Sequence, residues 1–213
     1  MKKIIFLTML LTGLCFSVSA CSPDDGPGNT EVTPPEPTPN PNPDSDPEPG
    51  NGRSLVLYFS RSGNTRAVAN EIRTQTDGTI LEVVPTTAYP SDYNATLSRA
   101  QQEISAIDAS GTYPSITTTV ENFDDYDIVF ICVPLWYTRM ATPMQSFLNA
   151  HSQKLARKRV ALVVTSSSSG ISSVVRDARR LCSGSTFTGE ALWVRASQVG
   201  SVAGTVTAWL ETL

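Results

Sequence analysis

Two runs of the chain are apolar without alternation: Tyr126–Val133 (YDIVFICV) and Arg159–Thr165 (RVALVVT). A strand with one wet face alternates apolar and polar side chains, whereas an unbroken apolar run marks a strand covered on both faces. Two such strands, separated by residues with helical spacing, commit the chain to an open parallel sheet with helices on both sides. The flanking segments follow the same order. Ser54–Phe59 (SLVLYF) is β-rich, and Thr65–Thr76 carries Val68, Ala69 and Ile72 on one helical face. Thr79–Val84 reads as a second strand. Ser91 or Asp92 can cap a helix running to about Ala106, with Leu97, Ala100 and Ile104 inward. Pro143 suits the first turn of a helix through Asn149. Ile171–Leu181 is helical, Thr186–Val194 is the last strand and Val202–Leu213 the last helix. The expected class is α/β, a three-layer sandwich of five parallel strands in the order 2-1-3-4-5. Ligands in such a sheet sit at the carboxyl ends of the strands beside the switch point.

The sheet accounts for residues 53–213, and what precedes it has a different composition. Lys2 and Lys3 lead into an apolar run from Ile4 to Phe16, then small residues reach Cys21. That is the pattern of a secretory signal over residues 1–20, too short for a stable membrane span. Val18-Ser19-Ala20-Cys21 resembles a bacterial lipobox, which implies that Cys21 is lipidated. Asp24 and Asp25 resemble the acidic surface-export signals of some Gram-negative lipoproteins. Residues 22–52 hold ten of the fifteen prolines and seven acidic residues but no basic one, with Val32 the only aliphatic side chain. Such a stretch cannot bury enough apolar surface to fold, and reads as an extended tether. The expectation is an exported bacterial lipoprotein on the periplasmic side of a membrane or the cell surface, touching the membrane only through the lipid on Cys21.

Without those residues the charge is close to balanced, 14 basic against 13 acidic in 53–213. Neither nucleic acid nor an anionic membrane surface is favoured by such a domain. Cys132 lies in a strand pattern and Cys182 at a helix end, and both read as packing cysteines rather than a disulfide framework. Six residues separate Cys132 from Arg139, one more than the five of the C-x5-R loop of a cysteine phosphatase. There is no G-x-S-x-G, and His151 is the single histidine, placed by the pattern in a polar stretch after a helix. Hydrolase triads and histidine metal sites therefore lack their parts. No catalytic or metal-ligating side chain is assigned.

Three loops at strand carboxyl ends carry the remaining chemistry. Ser60, Arg61, Ser62, Gly63, Asn64 and Thr65 crowd the turn between the first strand and first helix. A helix N-terminus offers backbone N–H groups and partial positive charge, hydroxyls add donors, and Gly63 permits positive φ or close approach. The turn suits a phosphate dianion held by neutral donors; the other reading is a well-capped βα turn. It is neither a Walker loop nor a dinucleotide fingerprint.

The stretch Tyr58-Phe59-Ser60-Arg61-Ser62-Gly63-Asn64-Thr65 resembles the FMN phosphate loop of the flavodoxin family, S/T-x-S/T-G-N-T. Pro134-Leu135-Trp136-Tyr137, with Pro143 and Phe147-Leu148 beyond, resembles the P-I-W-W … P … F-L segment of flavodoxin-like oxidoreductases. Thr165-Ser166-Ser167-Ser168-Ser169-Gly170 stands where those proteins have T-S-G-G-S-G. Tyr89-Pro90-x-x-Tyr93-Asn94 also fits. The resemblance spans residues 55–213 and implies a flavodoxin-like sandwich that binds FMN. It puts the phosphate on residues 60–65, Trp136 or Tyr137 against the flavin ring, and residues 165–170 along the ring's polar edge. An aromatic side chain stacked there disfavours the electron-rich ring and lowers its potential. Ser167 and Ser168 replace glycines, and a positive φ at either would cost serine about 1 kcal/mol. The implied function is electron transfer or oxidoreduction with a partner protein or a quinone-like acceptor. The competing expectation is an exported flavodoxin-fold binding or structural module that has lost flavin.

Overall fold

A computed structural model describes residues 53–213. The signal segment, Cys21 and the tether lie outside the described residues. In chain order the elements are β1 (Ser54–Tyr58), α1 (Asn64–Thr76), β2 (Thr79–Glu82), α2 (Tyr93–Ser110), β3 (Ile128–Trp136), β4 (Arg139–Met140), α3 (Thr142–Leu155), β5 (Arg159–Ser166), α4 (Ser172–Leu181), β6 (Thr186–Phe187), β7 (Leu192–Arg195) and α5 (Ala203–Leu210).

The sheet runs β2-β1-β3-β5-β6, with β7 also paired to β5 and β4 folded back antiparallel on the end of β3. The principal strands thus keep the expected 2-1-3-4-5 order. Pairing along β3 is continuous, from Ile128 opposite Arg159 to Pro134 opposite Thr165. Both faces are covered, which is why β3 and β5 show no alternation. Leu55, Leu57, Val129, Ile131, Val133 and Leu162 point to one side, where Phe147, Leu148, Val174 and Ala178 of α3 and α4 meet them. Val56, Phe130, Cys132, Ala161 and Val163 point to the other, against Val68, Ala69 and Ile72 of α1 and Val206 and Trp209 of α5. α2 lies alongside α3. Cys132 and Cys182 are unbridged and buried; burial pushes the Cys182 thiol up to about 12. Both are inert packing groups.

Element limits differ from the sequence pattern where a local feature intervenes. The last strand is two short ones, because Gly189 at φ 64° turns the chain out of the sheet between them. The second strand ends at Glu82 rather than Val84, and Val84 is exposed. α2 starts where Asp92 accepts from Ala95 N at 2.7 Å and continues past Ala106 until Gly111 ends it at φ 67°. α3 continues beyond Asn149 to Leu155, so His151 lies within the helix and not after it. Its ring is half-buried, 4.4 Å from Phe147 and 5.5 Å from Phe123 by centroids. Among the described residues no helix is long and apolar enough to cross a membrane.

Candidate functional site

The carboxyl ends of β1, β3 and β5 are neighbours in the sheet, so the three loops flagged by sequence open onto one edge. Between them lies a cleft of about 260 Å³. Arg61, Ser62 and Asn64 reach it from the first loop; Pro134, Leu135, Trp136 and Tyr137 from the second; Thr165, Ser166 and Ser167 from the third. It sits at the switch point, since the chain passes from β1 outward to β2 and then back across to β3.

The first loop is built around the start of α1. Gly63 is the N-cap residue at φ 90°, and no side chain caps the first turn. Its own N–H donates to Ser60 Oγ at 3.1 Å, so Ser60 closes the turn and faces a neighbouring hollow rather than the cleft. Thr65 is buried, and its hydroxyl meets that of Thr165 at 2.8 Å. That bond ties the first loop to the third. Arg61 extends sideways: Nε donates to Thr96 Oγ1 at 3.2 Å, Nη2 donates to Ser91 O at 2.9 Å, and the guanidinium lies over Tyr93. Among the described residues that line the cleft, Arg61 is the sole charged one.

The second loop is a hairpin. β3 runs on through Trp136, reverses over Tyr137 and Thr138, and pairs Trp136 with Arg139. Trp136 stands edge-on to Phe59 (centroids 5.3 Å, 86°) and to Tyr89 (5.1 Å, 78°). Tyr89 is itself held: its hydroxyl donates to the Glu103 carboxylate and meets Thr142 Oγ1, and Arg99 lies 4.0 Å over its ring while donating to Glu103 at 2.7 Å. Burial, and next the Glu103 hydrogen bond, push the Tyr89 phenol well above its usual range, so it stays protonated and donating. An aromatic wall is thereby fixed, whereas Tyr137 is 44% exposed at the mouth.

The third loop follows β5. Ser166 Oγ donates to Ser169 O at 2.9 Å and accepts from Trp193 Nε1 at 2.8 Å. Ser168, Ser169 and Gly170 are exposed and do not line the cleft. Positive φ among non-glycine described residues occurs at Asp77, Tyr137, Thr138 and Arg157. Ser167 and Ser168 are outside that group, so the serines that replace glycines carry no left-handed strain. The strain is in the second loop instead.

Tyr93, Thr96, Leu97 and Ala100 of α2, and Ala196 after β7, also line the cleft and were not assigned to it from sequence. The Tyr89-Pro90-x-x-Tyr93 segment was the signal for the α2 wall. Ala196 carries no sequence signal.

A doubly covered parallel sheet with an uncapped helix start and an aromatic wall at its switch point is a doubly wound α/β domain. The model of the family described as Flavodoxin matches residues 53–213, and the chain belongs to the flavodoxin family. No curated protein matches it. Among solved structures, a candidate flavoprotein from Bacteroides uniformis is 26% identical, covering 76% of this chain and 99% of its own, with a TM-score of 0.63. A flavoprotein from Lactobacillus acidophilus, solved in complex with FMN, is 23% identical over 75% of this chain and 99% of its own, with a TM-score of 0.59. A candidate flavoprotein from Bacteroides eggerthii is 24% identical over 74% and 99%, also at 0.59.

Proposed function

We propose that the cleft binds FMN non-covalently and that the protein is an electron-transfer flavoprotein or oxidoreductase carried on a lipid anchor at Cys21. The observation that supports this most is the uncapped start of α1. Gly63 presents no side chain to the first-turn N–H groups, which open beside Ser62 and Asn64 onto the same cleft that Trp136 walls. A capped βα turn would spend those donors internally; a turn left open next to an apolar wall suits a phosphate joined to a flat ring. The FMN found in the Lactobacillus acidophilus relative points the same way.

In this reading Ser62, Asn64 and the backbone of residues 61–65 hold the phosphate. Thr65 acts from behind by fixing the first loop to Thr165, and Ser60 by closing the turn. Trp136 and Tyr137 bound the ring, and Thr165, Ser166 and Ser167 flank its polar edge. Bound FMN supplies the hydride and electron chemistry; the chain's part is to bind, orient and shield it. The acceptor is a partner protein or a quinone-like molecule reaching the mouth at Tyr137 and Tyr93. The anchor and tether put the domain on the periplasmic side of a membrane or at the cell surface.

Titrating the purified protein into FMN and following flavin fluorescence tests the reading. Quenching with a micromolar midpoint is expected, and Trp136→Ala should weaken it about tenfold or more. FMN fluorescence unaltered at millimolar concentrations would leave the exported, flavin-free module as the remaining account.

A further inference from the structure

The hairpin that carries Trp136 and Tyr137 is built from the wrong residues for its shape. A two-residue connection with both φ values positive is the type I′ turn, which asparagine and glycine favour. Here the two positions are Tyr137 at φ 46° and Thr138 at φ 60°. Left-handed backbone is disfavoured by any Cβ, and a β-branched residue there is an outlier. Strain of this kind persists only where the surroundings impose it.

The surroundings are the first two turns of α4. Ser173 Oγ donates to the carbonyl oxygen of Thr138. Asp177 Oδ2 accepts from Arg139 Nε at 2.9 Å and from the backbone N–H of Met140 at 3.2 Å. Asp177 is 2% exposed, and a carboxylate buried that deeply persists only with partners of this quality. Arg139 also donates to both Asp108 oxygens at 3.1 Å, beside the end of α2, and the Asp177 bond first of all raises its pKa further. Three consecutive residues, 138 to 140, are thus gripped by one helix. That helix begins directly after residues 165–170, so it joins two of the three loops that face the cleft.

We propose that Asp177 and Ser173 are positioning residues that clamp the β3–β4 turn in its left-handed form and so fix Tyr137 at the mouth of the cleft and Trp136 on its wall. The functional half of this rests on the FMN reading; the clamp itself does not. Neither residue touches the cleft, so their effect on a ligand passes through the hairpin.

Removing the need for the clamp tests this directly. Thr138 does not line the cleft, and Thr138→Gly relieves its left-handed strain without touching the site. In the purified full chain, Asp177→Asn should weaken FMN binding about tenfold, and adding Thr138→Gly should restore it to within about threefold of wild type. Ser173→Ala should give a smaller loss with the same rescue, and carries the test if Asp177→Asn does not fold. The same four-variant cycle read by thermal unfolding without FMN should show Thr138→Gly stabilising the wild type, whose clamp enforces the strain, more than the Asp177 variant, whose unclamped turn has already relaxed. A Thr138→Gly effect that is the same in both backgrounds overturns the proposal. If FMN fails to bind wild type, the FMN reading falls alone, and the unfolding cycle still decides whether the clamp exists.

Discussion

Gly63→Ala is the sharpest single perturbation of the phosphate-type loop. Gly63 sits at φ 90° and ψ −18°, and a Cβ built there meets nothing within 4 Å. Space is therefore not the issue, and the whole cost is backbone conformation, about 1–2 kcal/mol. In a domain of this size that lowers the melting temperature by roughly 2–8 °C. Should the loop relax to avoid that cost, the first-turn N–H groups of α1 turn from the cleft, and FMN affinity falls about tenfold or more instead. Gly63→Asn, which tolerates positive φ better, should recover part of either loss. Gly78→Ala supplies the contrast: its Cβ would lie 2.2 Å from Ser54 Oγ and 3.0 Å from Ser54 O, so its cost is crowding at the far end of β1. Urea unfolding without ligand and an FMN titration, run on the same samples, separate the two. Gly63→Ala with wild-type stability and wild-type FMN affinity would refute the claim that this turn needs a glycine.

Thr65→Val strands the buried hydroxyl of Thr165, which lies 2.8 Å from Thr65 Oγ1, and should cost about 1–3 kcal/mol; Thr65→Val with Thr165→Val should cost less than the sum of the single changes in urea unfolding. Burial first, and the Lys154 charge second, lower the His151 pKa below 6.5, so the unfolded chain takes that proton before the folded one. Its contribution is fully present above about pH 6.5 and is lost as pH falls toward the lowered folded value. His151→Phe should flatten the urea midpoint between pH 7 and pH 5.5, and an unchanged slope there would reject the assignment.

The sheet was legible because burial on both faces leaves β3 and β5 with no polar residue to interrupt their apolar runs. The limits were less so. Gly189 splits the last strand by its backbone angle, which a Thr-Gly-Glu sequence does not announce. His151 is polar by type, yet it packs against Phe123 and Phe147, so α3 looked shorter than it is. The first loop came from residue type and spacing and the other two from the family resemblance, but their internal division of labour did not. Ser60 and Thr65 spend their hydroxyls on the scaffold, and Arg61 reaches α2 through Thr96 and Ser91. The replacement of glycines points to strain at Ser167 and Ser168, and the strain lies instead at Tyr137 and Thr138. Nothing in a Tyr-Thr pair signals a left-handed turn, because the cause is the grip of Ser173 and Asp177 some 35–40 residues later.

The central claim is that this cleft holds a flavin by its phosphate, on the start of α1. Parallel titrations of the protein with FMN and with riboflavin, which differ only by that phosphate, test it most directly. Two charge-assisted hydrogen bonds at about 1.5 kcal/mol each put FMN at least about a hundredfold ahead. Equal affinities for the two flavins would contradict the account.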